Sequence, residues 1–253
     1  MSIAKRIFVG TCGFPRRREE IFRNLDVVEI QETFYDLISI DKAEKLGREK
    51  PDNFIYTAKV FQAITHAPDS PTWKKIKTRL YGDKSNYGFL KPTKENIWAW
   101  EESVKRFDLM KIKIVIFQTP PSFGYSEDNY RNVRDFFSVI DRRNLLIGWE
   151  PRGSWNQSSN REKLCNLMRE LGLIHVVDIF RNKPCEEVEE VLYIRLHGIG
   201  GSETNYRYKY TDEDLLKLKE AIDRYVSKEI YVLFNNVYMY DDALRFKELI
   251  KRG

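Results

Sequence analysis

The chain has 253 residues, 42% hydrophobic and 32% charged, enough apolar side chains for a globular core under a solvated surface and too many for a disordered chain. Its formal net charge of +5 is mildly basic, which suits an anionic partner without requiring one. No run of about 18 apolar residues occurs, so no membrane-spanning helix and no membrane partner are expected.

The N-terminal stretch MSIAKRIFVGTCGF passes from a basic patch directly into a strand-like run, without an apolar signal core, and a cytoplasmic protein is expected. Short β-branched or aromatic runs then recur along the chain. They lie at 7–11, 27–31, 54–60, 113–118, 145–150, 174–178, 191–197 and 230–235, and each reads as a strand. Between them stand helical signals. Pro15 can open a helix that runs to about Asn24, and Ser39 precedes a second, with Asp41 and Glu44 near its positive end. After Ser126, the residues Tyr130, Val133, Phe136, Phe137 and Ile140 recur at threes and fours, the spacing of one helical face. A further helix spans about Asn160 to Leu171 and stops at Gly172. Thr211 with Asp214 reads as a cap, and a last helix covers Asp241 to Lys251.

Strand and helix alternating eight times over about 250 residues is the pattern of an α/β protein, a single (β/α)8 TIM-like barrel occupying residues 1–253 as one domain. An open doubly wound sheet is the competitor. The link from Phe61 to Lys111, between strands three and four, is a long insertion with two helical stretches flanking LYGDKSNYGFLKP. Insertions of this length serve either as binding loops or as extra helices on a barrel exterior. Cys12, Cys165 and Cys185 are odd in number and lack C-x-x-C spacing, which argues against a disulfide framework or a structural zinc site.

Barrel enzymes carry their chemistry at the C-terminal ends of the strands, and alternation along a strand assigns each side chain a face. In strand two Glu29 and Gln31 share a face opposite Val28 and Ile30. In strand three Lys59 is in phase with Ile55 and Thr57. Gln118 ends strand four, Glu150 ends strand five with Arg152 just beyond it, and Asp178 ends strand six. Tyr193, Arg195 and His197 share a face of strand seven, and Asn235 and Asn236 end strand eight. Charges of both signs at strand ends form either a polar pocket or a network of ion pairs that braces the barrel.

The motifs GTCGF (10–14), VEIQETFY (28–35), FQTPPSF (117–123), WEPRGSW (149–155), YIRLHG (193–198) and LFNN (233–236) resemble the YecE-like proteins, an uncharacterised group defined by a domain of unknown function. The resemblance runs the length of the chain in order. It implies a TIM-like barrel of unestablished activity in which Glu29, Thr33, Tyr35, Lys59, Gln118, Glu150, Arg152, Arg195, His197 and Asn235 belong to shared motifs around one pocket. Members of that group often carry Ser where this chain has Cys12, which argues against a thiol nucleophile there.

Three chemistries were weighed for such a pocket. A similarity of the group to endonuclease IV, which cleaves the phosphate backbone with clustered zinc ions, raises metal hydrolysis. The chain offers only His66, His175 and His197, with no H-x-H or H-E-x-x-H motif, too few ligands for a zinc cluster. No cofactor is expected, although Glu29, Glu150 or Asp178 could hold a single Mg²⁺. Acid/base work without metal would fall to Glu29 and Glu150 as a carboxylate pair, with Lys59 and His197 beside them. Anion binding is best served by residue type. Arg152, Arg195 and His197 can donate to phosphate, Gln31, Thr33, Tyr35, Gln118 and Asn235 can support it, and the loop at Gly198, Gly200 and Gly201 can expose backbone N–H groups.

The expected protein therefore binds an anionic small molecule or a nucleic acid, with hydrolysis of a phosphate-containing substrate as its reaction class if it is an enzyme. The alternative is a non-catalytic nucleic-acid-binding module. That module would use the basic runs Arg16–Arg18 and Trp73 to Arg79, with Tyr206, Tyr208 and Tyr210, while the strand-end residues serve only as structure.

Overall fold

A computed structural model describes residues 5–185, 190–201 and 203–251. Its strands are β1 (Arg6–Cys12), β2 (Val27–Ile30), β3 (Ile55–Lys59), β4 (Ile112–Gln118), β5 (Leu146–Glu150), β6 (Ile174–Val177), β7 (Val191–Leu196) and β8 (Glu229–Phe234). They follow one another in chain order around a closed, parallel barrel. Each β-branched run of the sequence thus became a strand, and the open-sheet alternative is ruled out by closure.

The helices are α1 (Arg18–Asn24), α2 (Glu32–Tyr35), α3 (Ile40–Glu49), α4 (Gln62–Thr65), α5 (Lys94–Met110), α6 (Glu127–Val139), α7 (Arg161–Leu171), α8 (Asp212–Asp223) and α9 (Met239–Lys251). Their starts follow from local chemistry. Ser39 accepts from the Lys42 backbone N–H at 3.3 Å, and Ser126 from that of Asn129 at 3.1 Å. Thr211 and Asp214 close a reciprocal capping box, which satisfies two of the amide groups a helix leaves unbonded at its start. Gly172 ends α7 in the left-handed conformation at φ +58°. Pro15 does not open α1, whose N-cap is Arg17; the proline belongs to the preceding turn.

The link from β3 to β4 differs from the two flanking helices expected. Ahead of residues 80–92 it has only α4 and a 3-10 turn at Pro71–Lys75, whereas behind them Thr93 caps the 17-residue helix α5. Pro68 and Pro71 lack the amide hydrogens that a longer helix over this stretch would need. Cys165 and Cys185 are not free thiols, which corrects the expectation drawn from an odd cysteine count, and the free thiol is Cys12, buried at the end of β1.

Two compact units make up the described chain. The first comprises the described residues among 1–29, 51–55 and 174–253, and the second residues 30–50 and 56–173. In the first, β1 pairs with both β2 and β8, and β7 with β6 and β8. Gly10 permits the close β1–β2 approach, since a Cβ there would lie 1.8 Å from the Val27 carbonyl oxygen. In the second unit β4 pairs with β3, with a register shift between Tyr56 and Thr57, and with β5, over a core in which Phe117 meets Trp100, Phe136 and Phe137. Among the described residues, no helix is long and apolar enough to cross a membrane.

Candidate functional site

The polar residues that end the strands fall into two clusters, one within each unit. In the first unit Glu29 is the hub. Its Oε1 accepts from Arg195 Nη2 at 2.9 Å and its Oε2 from the Tyr193 hydroxyl at 2.9 Å. Glu29 is fully buried and Arg195 is 1% exposed, so each charge depends on the other for the solvation it has lost. Alternation along β7 predicts this set, because Tyr193 and Arg195 lie two residues apart on one face.

Asp178, just past β6, holds the next turn of the same unit. Its Oδ2 accepts from the His197 backbone N–H at 2.9 Å, and its Oδ1 from that of Phe180 at 3.1 Å. The His197 imidazole Nδ1 lies 3.6 Å from the same Oδ2. Arg181 donates to the carbonyls of Gly198 and Gly200 at 2.6 and 2.7 Å. The glycine loop therefore turns these two carbonyls toward a guanidinium. Gly198 N–H is directed to the Tyr210 hydroxyl at 2.8 Å, not outward as a phosphate cradle would need. Burial, and then the charge of Asp178, push the Tyr210 phenol pKa upward and keep that hydroxyl protonated. Asn235 continues the β8 ladder, its backbone N–H donating to Leu196 O at 2.8 Å. The Asn236 amide donates to Tyr208 O and to Asp242, each at 2.7 Å.

The second cluster is built on the ends of β3, β4 and β5. Lys59 Nζ donates to Gln118 Oε1 at 3.0 Å and stands 3.7 Å above the Phe34 ring. The Thr33 hydroxyl lies 2.7 Å from Lys59 O and 3.0 Å from Ile30 O, tying α2 to the end of β3. Arg152 donates through Nε and Nη2 to Glu150 Oε1, at 3.1 and 2.8 Å. His66 completes the group: burial, then the positive charges of Lys59 and Arg152, lower its pKa to about 3. At neutral pH the imidazole is uncharged beside two cations. Its ring meets Phe34 edge-on at 5.0 Å, and its carbonyl accepts from Trp73 Nε1 at 3.0 Å.

Gln31 lies otherwise than alternation implies, and Tyr35, which the resemblance implies at the pocket, is partly exposed. The strand ends at Ile30, and Gln31 already has helical backbone (φ −88°, ψ −25°) as the N-cap of α2, so it does not continue the face of Glu29. Tyr35 is 36% exposed with Lys75 Nζ 4.0 Å above its ring. Neither Phe34 nor His66 was singled out by sequence. Phe34 sits inside VEIQETFY between two residues that were, while His66 follows β3 in a segment without any motif. Among the described residues no group of three or more His, Cys, Asp or Glu side chains is placed to hold a metal ion.

The comparisons agree with this architecture. A curated relative, the UPF0759 protein YunF of Bacillus subtilis, is 21% identical over 97% of this chain and 89% of its own length. A DUF72 family protein from Enterococcus faecalis superposes with a TM-score of 0.75 at 21% identity, covering 98% of this chain and 99% of its own. Endonuclease IV from Thermus thermophilus superposes with a TM-score of 0.54 at 11% identity over 99% of this chain and all of its own, a likeness of fold alone. The family model described as "Protein of unknown function DUF72" matches residues 12–252, nearly the full barrel, and the chain belongs to that family.

Proposed function

We propose that the cluster at the ends of β3, β4 and β5 binds the phosphate or other anionic group of a ligand. The observation that carries the reading is the grouping of two cationic side chains at these strand ends, Lys59 Nζ on Gln118 Oε1 at 3.0 Å and Arg152 beside Glu150; the lowered pKa of His66, through burial and the charges of Lys59 and Arg152, accords with it. Two cations act on one buried imidazole, and Arg152 bonds Glu150; guanidinium and ammonium donors grouped at strand ends suit an incoming anion. Lys59 and Arg152 are the donors, Gln118 and Thr33 position Lys59, and Glu150, held by Arg152, is the carboxylate this reading assigns to acid/base work. The reaction class is hydrolysis of a phosphate-containing substrate, and the endonuclease among the barrels of this fold points that reading toward phosphodiesters.

In the same reading Glu29, Arg195 and His197 brace the other unit and do not touch the ligand, a role supported by the near-complete burial of all three. Titration calorimetry with inorganic phosphate tests the assignment. Lys59→Met and Arg152→Gln should each weaken binding by about 1.5–3 kcal/mol, the worth of a hydrogen bond to a charged group. Phosphate affinity unchanged in both variants would overturn it.

A further inference from the structure

Phe34 and Tyr35 are consecutive, meet edge-on at 5.2 Å, and each carries a lysine ammonium on its ring, Lys59 at 3.7 Å and Lys75 at 4.0 Å. The positive cluster at the strand ends therefore continues outward along α2. Beyond Lys75, the side chains of Lys74, Lys75 and Lys77 face Lys42 of α3 across an open cleft of about 640 Å³.

The lysine side chains are exposed, but the turn that carries them is anchored. Trp73, just ahead of Lys74, is buried and bonded through Nε1 to His66 O at 3.0 Å. The Gln62 amide donates both to Tyr35 O and to Thr72 O, at 2.9 and 3.1 Å. The Asp36 carboxylate accepts from the backbone N–H groups of Lys77 and Thr78, at 3.1 and 3.2 Å. Three independent anchors thus fix the turn against the Phe34–Tyr35 segment. Asp36 accepts from those amides and Glu32 pairs with Lys42, and the lysines lining the cleft outnumber its carboxylates four to two.

The geometry points to a binding track for a single phosphodiester strand, with one phosphate at Lys59 and Arg152 and the following phosphates along the cleft of Lys42, Lys74, Lys75 and Lys77. Lysines interleaved with aromatic rings are what a single strand requires, since charge follows its backbone and the half-exposed Tyr35 offers a surface for a base. The inner end of the track rests on the anion-binding reading above; the cleft does not.

Fluorescence anisotropy with labelled oligo(dT) of two, six and twelve nucleotides, over a series of salt concentrations, tests the track. Affinity should rise at least tenfold from the shortest to the longest strand. The Lys74→Gln/Lys75→Gln/Lys77→Gln variant should lose that gain and lower the salt slope by about two, at roughly 0.7 per phosphate contact on a single strand. Its affinity for inorganic phosphate should stay at the wild-type value. Arginine at the same three positions should restore the length dependence. If the triple variant does not fold, each single Lys→Gln change should lower the slope by about 0.7. Affinity independent of length, binding of duplex or poly-glutamate as tight as that of oligo(dT), or a triple variant that behaves as wild type would overturn the track. Length-dependent binding through the cleft in a protein that takes up no inorganic phosphate would instead sink the strand-end anion site and leave the cleft standing.

Discussion

Arg195 Nη2 lies 2.9 Å from Glu29 Oε1, with the two side chains 1% and 0% exposed. A pair so enclosed gains little net stability over apolar residues of the same size, yet removal of one partner strands a charge without solvent. Arg195→Ala should therefore cost about 3–5 kcal/mol in a denaturant melt. Replacing both partners, as Glu29→Leu with Arg195→Met, should recover much of that loss. A single variant as stable as wild type would show that Glu29 is solvated in some other way.

Gly198 makes a second, local prediction. It sits at φ +83°, and a Cβ on it would lie 2.1 Å from the Asn205 carbonyl oxygen. Neither the conformation nor the space suits alanine. Gly198→Ala should destabilise the protein by about 1–3 kcal/mol, the usual cost of a strained backbone position, and displace the two carbonyls that Arg181 binds. Because the Gly198 N–H already has the Tyr210 hydroxyl, phosphate affinity should not change. A variant that folds normally but loses phosphate would return the glycine loop to the binding site.

The strands were legible because a barrel buries them on both sides, which leaves unbroken apolar runs such as Ile114, Val115, Ile116 and Phe117 in β4. The caps at Ser39, Ser126 and Thr211 were legible because they work within three residues. Alternation also placed Glu29, Lys59, Glu150 and Arg195 at strand ends. It failed at Gln31, where the chain turns into α2 and the period of two no longer applies. Partner choice was hidden as well: Tyr193 and Glu29 are 164 residues apart in sequence, and spacing says nothing about which strands become neighbours. His66 escaped notice because its role comes from burial beside Lys59 and Arg152, a property of the folded chain.

Zinc content separates the fold from one chemistry associated with it. Protein purified without chelator should carry less than one zinc per chain by elemental analysis, because His66, His175 and His197 are engaged elsewhere. His66 lies 2.8 Å from the Thr65 hydroxyl, His175 Nδ1 accepts from the Cys185 N–H at 3.1 Å, and His197 lies against Asp178. Two or more zinc ions per chain would restore a metal-dependent reading.

His66 should also make stability depend on pH. Its pKa in the folded chain is lowered to about 3, whereas an unfolded histidine titrates near 6.5. Between those values the unfolded chain binds the proton and the folded chain does not. Stability is therefore greatest above about pH 6.5 and falls as the pH drops toward about 3, by at most about 1.4 kcal/mol per pH unit from this one group. Denaturant melts at pH 7.0, 5.5 and 4.5 should show the decline, and His66→Gln should flatten it over the same window. Bound phosphate should reduce the slope in the wild-type protein, since an anion beside Lys59 and Arg152 offsets the charges that oppose protonation of the ring. A slope that is the same in wild type and His66→Gln would mean that the imidazole titrates normally, and the anion site would lose the support that the lowered pKa gives it.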